Sequence, residues 1–254
     1  MFLAYSSCYF LSDMPDSNHY AIIFDMDGVL IDNTSFQARA FQLLFRDLGL
    51  TTNALKLLQR LNGMPATKIL ETVFTNPVPK KQLETYADQR EFLYRTLYWE
   101  KRREMPGLSK FLQEARTAGF RIGLGTGSGS DTIGYIIDHL DLRRYFDVVV
   151  TKDDVDRGKP HADTYTVTAR KLGIAPERCL VFEDALMGEQ AAYKAGMRCI
   201  ALSSSIKPEK FQAPMKVIKD FTEITPAQIL ELLEQNPPVP KPSKKLAEKT
   251  YAKL

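Results

Sequence analysis

Asp25 and Asp27 stand two residues apart at the end of the apolar run Ala21-Ile22-Ile23-Phe24, just before Gly28. Alternate residues of an extended segment point the same way, so the pair could hold a hard cation or divide nucleophile and acid/base roles. Asp-x-Asp-Gly alone is a weak signal, because a polar turn with Gly28 supplying an unusual backbone angle has the same letters. It is not a calcium loop, which needs glycine at the sixth position and a distal glutamate. Nor does a Gly-x-Gly-x-x-Gly dinucleotide fingerprint follow. Three more polar groups close later apolar runs: Thr126 in Gly125-Thr126-Gly127-Ser128, Lys159 in Gly158-Lys159-Pro160, and the pair Glu183-Asp184. Singly, these read as a turn residue, a surface lysine and a helix cap. Together they fit phosphoryl transfer, where charge is spread over three oxygens and catalysis is mostly positioning and electrostatics. A carboxylate can attack phosphorus. Asp25, Glu183 and Asp184 supply hard oxygen ligands that suit Mg²⁺, and a cation there offsets their repulsion of a dianion. Thr126 and a backbone amide can hydrogen-bond a phosphoryl oxygen, and Lys159 can neutralise charge shared with Asp25.

These groups must be brought to one place. Apolar runs at 21–24, 121–125, 146–150, 179–182 and 198–202 predict five strands, and helical patterns over 108–118, after Ser128 to Leu140, 162–172 and 187–195 alternate with them. That alternation means βαβ units and a parallel sheet, so all the polar groups line its carboxyl edge. A last helix is predicted over 225–233. Between residues 33 and 104 the alternation stops and only helical patterns remain: one capped by Asn33 and ended by Gly49, two shorter pieces over 55–61 and 66–74, and a long one over 81–103. A helical insert at that point would sit over the strand ends as a lid. The fold class is therefore α/β, a Rossmann-like doubly wound parallel sheet with an inserted all-helical cap. The expected organisation is an N-terminal arm (1–19), a core (20–32 and 106–235), a cap (33–105) and a Pro/Lys-rich tail (236–254).

Together the motifs resemble the haloacid dehalogenase superfamily of phosphohydrolases, in the helical-cap branch that includes β-phosphoglucomutase-like enzymes. The similarity runs from about Ala21 to Leu202, through Asp25-Met26-Asp27-Gly28-Val29-Leu30, Gly125-Thr126-Gly127-Ser128, Gly158-Lys159-Pro160 and Phe182-Glu183-Asp184-Ala185 with Gly188 and Ala191-Ala192. The resemblance implies Asp25 as nucleophile, Asp27 as general acid/base and backbone-carbonyl metal ligand, and Mg²⁺ as cofactor. It implies Thr126 with Gly127 as phosphate binders, Lys159 as the stabilising cation, and Glu183 and Asp184 as metal ligands. The dehalogenase and phosphonatase branches lack a carboxylate at the Asp27 position, which points to phosphate esters or anhydrides. The mutase's second-phosphate residues are replaced here by Gln37, Asn62 and Ala66, none of which pairs with a dianion. What the cap offers a leaving group is Asn33 and Gln37 on its first helix and the turn Asn62-Gly63-Met64, neutral amides and a thioether that suit a small neutral group. The expected substrate is a small phosphorylated metabolite, such as a sugar phosphate or pyrophosphate. The alternatives are a phosphosugar mutase and, from another class, a phospho-receiver or binding domain without turnover. In His161-Ala162 the chain departs from relatives that often carry proline second after Lys159-Pro160, and His161 is expected to be exposed.

Bulk properties narrow the class further. Of the 254 residues, 44% are hydrophobic and 26% charged, as in ordinary globular proteins. No apolar run approaches the roughly 20 residues of a membrane span. Cys8, Cys179 and Cys199 form no metal or disulfide pattern, and Cys179 and Cys199 fall in apolar runs as buried thiols, which points to the cytoplasm. His19, His139 and His161 leave little room for a histidine zinc site or a Ser-His-Asp triad. The net charge of +3 comes from the tail, whose five lysines and one glutamate leave the body slightly acidic. No nucleic-acid surface is implied, and a monomer or weak homodimer is expected. Met1 to Leu11 lacks the basic start of a signal peptide, and Met14 is an alternative start. The final Ala-Lys-Leu nearly matches a peroxisomal address, a three-residue likeness of little weight.

Overall fold

The computed structural model describes residues 19–235. All but the last residue of the expected arm, Cys8, the alternative start and the Pro/Lys-rich tail with its Ala-Lys-Leu ending lie outside the described residues. Among those described, six strands form one parallel sheet: β1 (Ala21–Phe24), β2 (Arg121–Gly125), β3 (Val148–Val150), β4 (Cys179–Glu183), β5 (Arg198–Leu202) and β6 (Lys216–Ile218). Their order is β3-β2-β1-β4-β5-β6. β1, β4 and β5 are buried along their whole length, as unbroken apolar runs require when both faces of a sheet are covered. β1 and β4 pair side by side, with Phe24 opposite Phe182. The strand order reverses between them, which opens a crevice beyond their carboxyl ends. β6 escapes the sequence pattern. It is three residues at the sheet edge, beginning with an exposed lysine, too short to display a period.

Between β1 and β2 the chain builds four helices: α1 (Thr34–Asp47), α2 (Ala54–Leu61), α3 (Ala66–Glu71) and α4 (Lys80–Tyr98). They bury a core of their own around Phe41, Leu44, Phe45, Leu58, Leu70 and Leu83. The long helix predicted to Arg103 ends sooner, with a 3-10 turn at Trp99–Lys101. Its last turns leave the cap core: Tyr94 and Tyr98 are fully buried in the cluster under the sheet. The segments that enter and leave this insert pair with one another. Met105 N–H donates to Leu30 O at 2.7 Å, and Ile31 and Glu104 form an antiparallel bridge.

The remaining helices cover the sheet. α5 (Leu108–Thr117), α6 (Ser130–Ile133) and α9 (Pro226–Gln235) pack on the face of Ile22, Phe24, Leu180 and Phe182, whereas α7 (Asp163–Leu172) and α8 (Leu186–Lys194) cover that of Ile23 and Val181. The alternation of neighbours between faces is the two-residue period of a strand. Phe24 stacks on Phe182 at 5.2 Å, and Phe111 meets Phe182 edge-on at 5.6 Å, contacts that each contribute about 1 kcal/mol beyond area. The helix expected to run unbroken to Leu140 is α-helical only through Ile133, then π-helical over Gly134–Asp138. There Tyr135 O accepts from Arg102 Nη1 at 2.9 Å, and Tyr135 OH donates to Arg95 O at 2.7 Å. The widened turn thus lies where the end of α4 docks.

Candidate active site

Asp25 leaves the end of β1 still in the ladder, its N–H donating to Phe182 O at 3.0 Å. Glu183 ends β4 beside it, and Asp184 follows. Room for these carboxylates comes from two glycines. Gly28 sits at φ +73°, and a Cβ there would fall 2.0 Å from Asp184 Oδ2. A Cβ on Gly188, in the first turn of α8, would fall 1.7 Å from Glu183 Oε1. Gly188→Ala is therefore expected to displace Glu183 and to cost about 2 kcal/mol. Urea unfolding checks this: the midpoint should fall at an unchanged slope, and an unmoved midpoint would show that Glu183 has room to spare.

Lys159, fully buried, closes the charge cluster. Its Nζ donates to Asp25 Oδ1 at 2.7 Å and to Glu183 Oε1 at 2.6 Å. Burial alone would depress the ammonium's pKa, but Asp25 and Glu183 outweigh it and raise the pKa. Burial pushes the Asp25 carboxyl up to about 7 against the pull of Lys159. Glu183 is the most satisfied of the three carboxylates. It also accepts from Tyr165 OH at 2.5 Å and from the N–H groups of Asp184 and Ala185 at 2.9 and 3.2 Å. Asp184 is satisfied on one oxygen. Oδ2 takes the Ser205 hydroxyl and Asn62 Nδ2, the latter at 3.4 Å, while Oδ1 is buried without a partner. Oxygens of Asp25, Glu183 and Asp184 lie within 4.8 Å of one another. Three buried carboxylates against one ammonium, with an orphaned oxygen among them, fit a divalent cation held by hard oxygen ligands.

Asp27 is held from both domains. Oδ1 accepts from Asn33 Nδ2 at 2.5 Å and Gln37 Nε2 at 3.3 Å, and Oδ2 accepts from Ser128 Oγ at 2.9 Å. Burial raises its pKa, and the Asn33 and Ser128 hydrogen bonds oppose the rise. Gln37 Oε1 in turn accepts from Arg90 Nη1 at 2.5 Å. A cavity of about 680 Å³ opens between cap and core. Asp25, Asp27, Gly127 and Lys159 line it from the core, and Gln37, Asn62, Gly63 and Met64 from the cap. Thr126 is fully buried and lies behind the wall. Its N–H donates to Val150 O at 3.0 Å, and its Oγ1 accepts from Ser128 N–H at 3.1 Å.

Asn33 departs from its expected role. It makes no side-chain cap on α1 and does not line the cavity. It is fully buried, with Nδ2 shared between Asp27 and Tyr94 OH (2.7 Å) and Oδ1 taking Gly28 N–H at 3.2 Å. An amide has two donors and an acceptor, and this one spends them on the Asp27 turn. Asn62 likewise turns toward Asp184. His161 is exposed and Cys179 and Cys199 are buried free thiols, as expected. Sequence reasoning missed Ser128, Tyr94, Ser205 and Arg90. Arg90 and Arg95 bring cap cations to the cavity wall, but both pair with Glu91, at 3.4 and 3.1 Å. Glu91 Oε1 also accepts from Thr132 Oγ1 at 2.7 Å, linking α4 to α6.

Known proteins resemble this chain in sequence and in fold. The family model of haloacid dehalogenase-like hydrolases matches residues 22–202. The fructose-1-phosphate phosphatase YqaB of Escherichia coli is 31% identical over 181 residues, which cover 70% of this chain and 94% of that protein. A phosphorylated carbohydrates phosphatase of Thermotoga maritima is 30% identical over 180 residues, covering 71% and 83%. Among solved structures, the β-phosphoglucomutase of Clostridium difficile superposes with a TM-score of 0.76 at 22% identity over 85% of this chain and 97% of that one, a likeness of fold. No helix among the described residues is long and apolar enough to cross a membrane.

Proposed function

The chain belongs to the haloacid dehalogenase-like hydrolases and is a phosphatase of that superfamily, and from that premise we propose that it hydrolyses a small phosphorylated sugar or similar metabolite through a phosphoryl group carried on Asp25. The observation that carries this reading is the arrangement around Asp25 and Asp27. Lys159 occupies Asp25 Oδ1, which leaves Oδ2 to attack phosphorus. Asp27 stands two residues on in the same turn, placed to protonate the departing oxygen and then to take a proton from the water that frees Asp25. Of the roughly four acceptor sites of a carboxylate, Asp27 has three taken, and the 3.3 Å bond from Gln37 is the longest. Lys159 balances the charge that Asp25 shares with the phosphoryl oxygens, and the Gly127 backbone borders them, with Thr126 bracing that turn from behind through Ser128 N–H. Asp25, Asp184 and Glu183, with the Asp27 carbonyl, would hold a divalent cation, which we take to be Mg²⁺. When bound it would neutralise phosphoryl charge. Closure of the cap excludes water and strengthens these electrostatics.

The relatives named for phosphorylated sugars support that substrate class, and the cavity supports a monophosphate. Its cap cations are already shared with Glu91, which leaves little for a second dianion and disfavours a mutase. The test is phosphate release from a panel of sugar phosphates, an aryl phosphate and pyrophosphate, with and without Mg²⁺. Mg²⁺-dependent release from sugar monophosphates is expected. No release from any member would leave a binding or receiver domain instead.

Gln37 offers a sharper check. Gln37→Ala removes one donor from Asp27 and frees Arg90, so it should slow leaving groups that need a proton more than those that do not. We expect kcat for sugar phosphates to fall about tenfold, within the usual range for acid catalysis, while p-nitrophenyl phosphate changes little. An equal loss on both would deny Gln37 any link to the acid.

A further inference from the structure

Three consecutive serines, Ser203, Ser204 and Ser205, open the loop after β5. The loop is pinned at both ends. Ser203 N–H donates to Ile218 O at 2.9 Å, and Ser204 Oγ to Gly28 O at 2.6 Å. Further along, the buried Glu189 carboxylate accepts from the N–H groups of Gln212 and Ala213 at 3.0 and 2.7 Å. Between these points Ile206 and Phe211 are buried against Leu186 and Met187, where Met64 of the cap also packs.

Held in this way, the loop presents the Ser205 hydroxyl to three groups: Asp184 Oδ2, Thr34 Oγ1 at 2.6 Å and Asn62 Nδ2 at 3.5 Å. A hydroxyl has one proton to give, and an ionised carboxylate can only accept. Ser205 therefore donates to Asp184, and Thr34 and Asn62 donate to Ser205. Thr34 opens α1 and Asn62 follows α2, so both outer donors belong to the cap. The other oxygen of Asp184, Oδ1, is buried without a partner, and the residue is one of the three carboxylates of the acidic cluster.

We infer that Ser205 is a positioning residue through which the seating of the cap sets the cation affinity of the core. With the cap seated, Thr34 and Asn62 fix the Ser205 hydroxyl, which occupies Asp184 Oδ2 and commits Oδ1 to the cation. This rests on the cation reading given above. Partners one step behind a metal ligand typically change affinity by 10- to 100-fold. The coupling is reciprocal: any ligand that seats the cap tightens the cation by the factor by which the cation favours the seated cap.

Calorimetric titration of the full chain with Mg²⁺ tests this in wild type, Ser205→Ala, Ser205→Thr and Thr34→Val. Ser205→Ala is expected to bind about tenfold more weakly, and Ser205→Thr, which restores a hydroxyl, to recover most of the loss. Thr34→Val keeps side-chain shape, alters only the cap and touches no carboxylate of the cluster, so a weakening there, by a smaller factor, supports the coupling. Mg²⁺ binding as tight as wild type in either Ser205→Ala or Thr34→Val overturns it. A wild-type protein that takes up no Mg²⁺ would remove the cation reading itself, and the role of Ser205 with it.

Discussion

Asp25→Asn is expected to lower turnover by roughly 10³-fold or more, about 4 kcal/mol of barrier, while the fold survives. The amide keeps an oxygen for Lys159, which still has Glu183 at 2.6 Å, so the buried ammonium is not stranded. The Asp25 N–H remains in the ladder with Phe182. What disappears is the carboxylate oxygen free to attack phosphorus, a role the neutral amide cannot take. Asp27 is the other carboxylate on the β1 turn, and its oxygens are engaged by Asn33, Gln37 and Ser128. The measurement is steady-state hydrolysis of the best substrate from the panel, with circular dichroism to confirm the fold. Retention of more than about a tenth of wild-type activity, about 1.4 kcal/mol of barrier, would take the nucleophile's role from Asp25.

Lys159→Met is expected to damage stability and turnover together. The side chain is among the largest that are fully buried, and it is the partner of two buried carboxylates. Replacing it with an apolar chain of similar length keeps much of the packing but leaves Asp25 and Glu183 facing each other unpaired. Removing one partner of a buried ion pair typically costs 3–5 kcal/mol, which for a domain of this size corresponds to a fall in melting temperature of about 10 °C. Saturating Mg²⁺ should restore part of this, because a cation in the cluster takes over some of the neutralisation. A melting temperature unchanged without Mg²⁺ would mean that the carboxylates are protonated or solvated there, and that Lys159 is dispensable for the fold.

The sheet was legible because its central strands are buried on both faces and so read as continuous apolar runs, each with a polar residue at its carboxyl end. β6 was not, since three edge residues led by an exposed lysine carry no period. The acidic cluster was legible because carboxylates after apolar runs have few other uses. The partners that orient it were not. Tyr94 and Arg90 sit on a helix far along the chain from Asp27, and their types suit a helix interior or surface equally well. Ser205 lies in a loop whose serines look like ordinary turn residues until β5 and β4 are placed side by side. Asn33 shows the opposite failure: a good helix-capping residue at a helix start was drawn instead to the Asp27 turn, because Gly28 N–H and the Asp27 carboxylate together satisfy its amide better than α1 does.

The paired backbone at the neck of the insert has a consequence for inheritance. Leu30 and Met105, and Ile31 and Glu104, meet as neighbours in a ribbon, so to the sheet the whole helical insert is one loop closed by its own stem. The entropy of closing a loop grows only logarithmically with its length, and the stem fixes the ends whatever lies between them. A different set of helices could therefore be exchanged at this seam without altering the pairing of β1 with β2. What such an exchange would have to carry across the seam are the side chains that reach back into the core: Gln37 to Asp27, Asn62 to Asp184, and Tyr94 and Tyr98 to the cluster under the sheet.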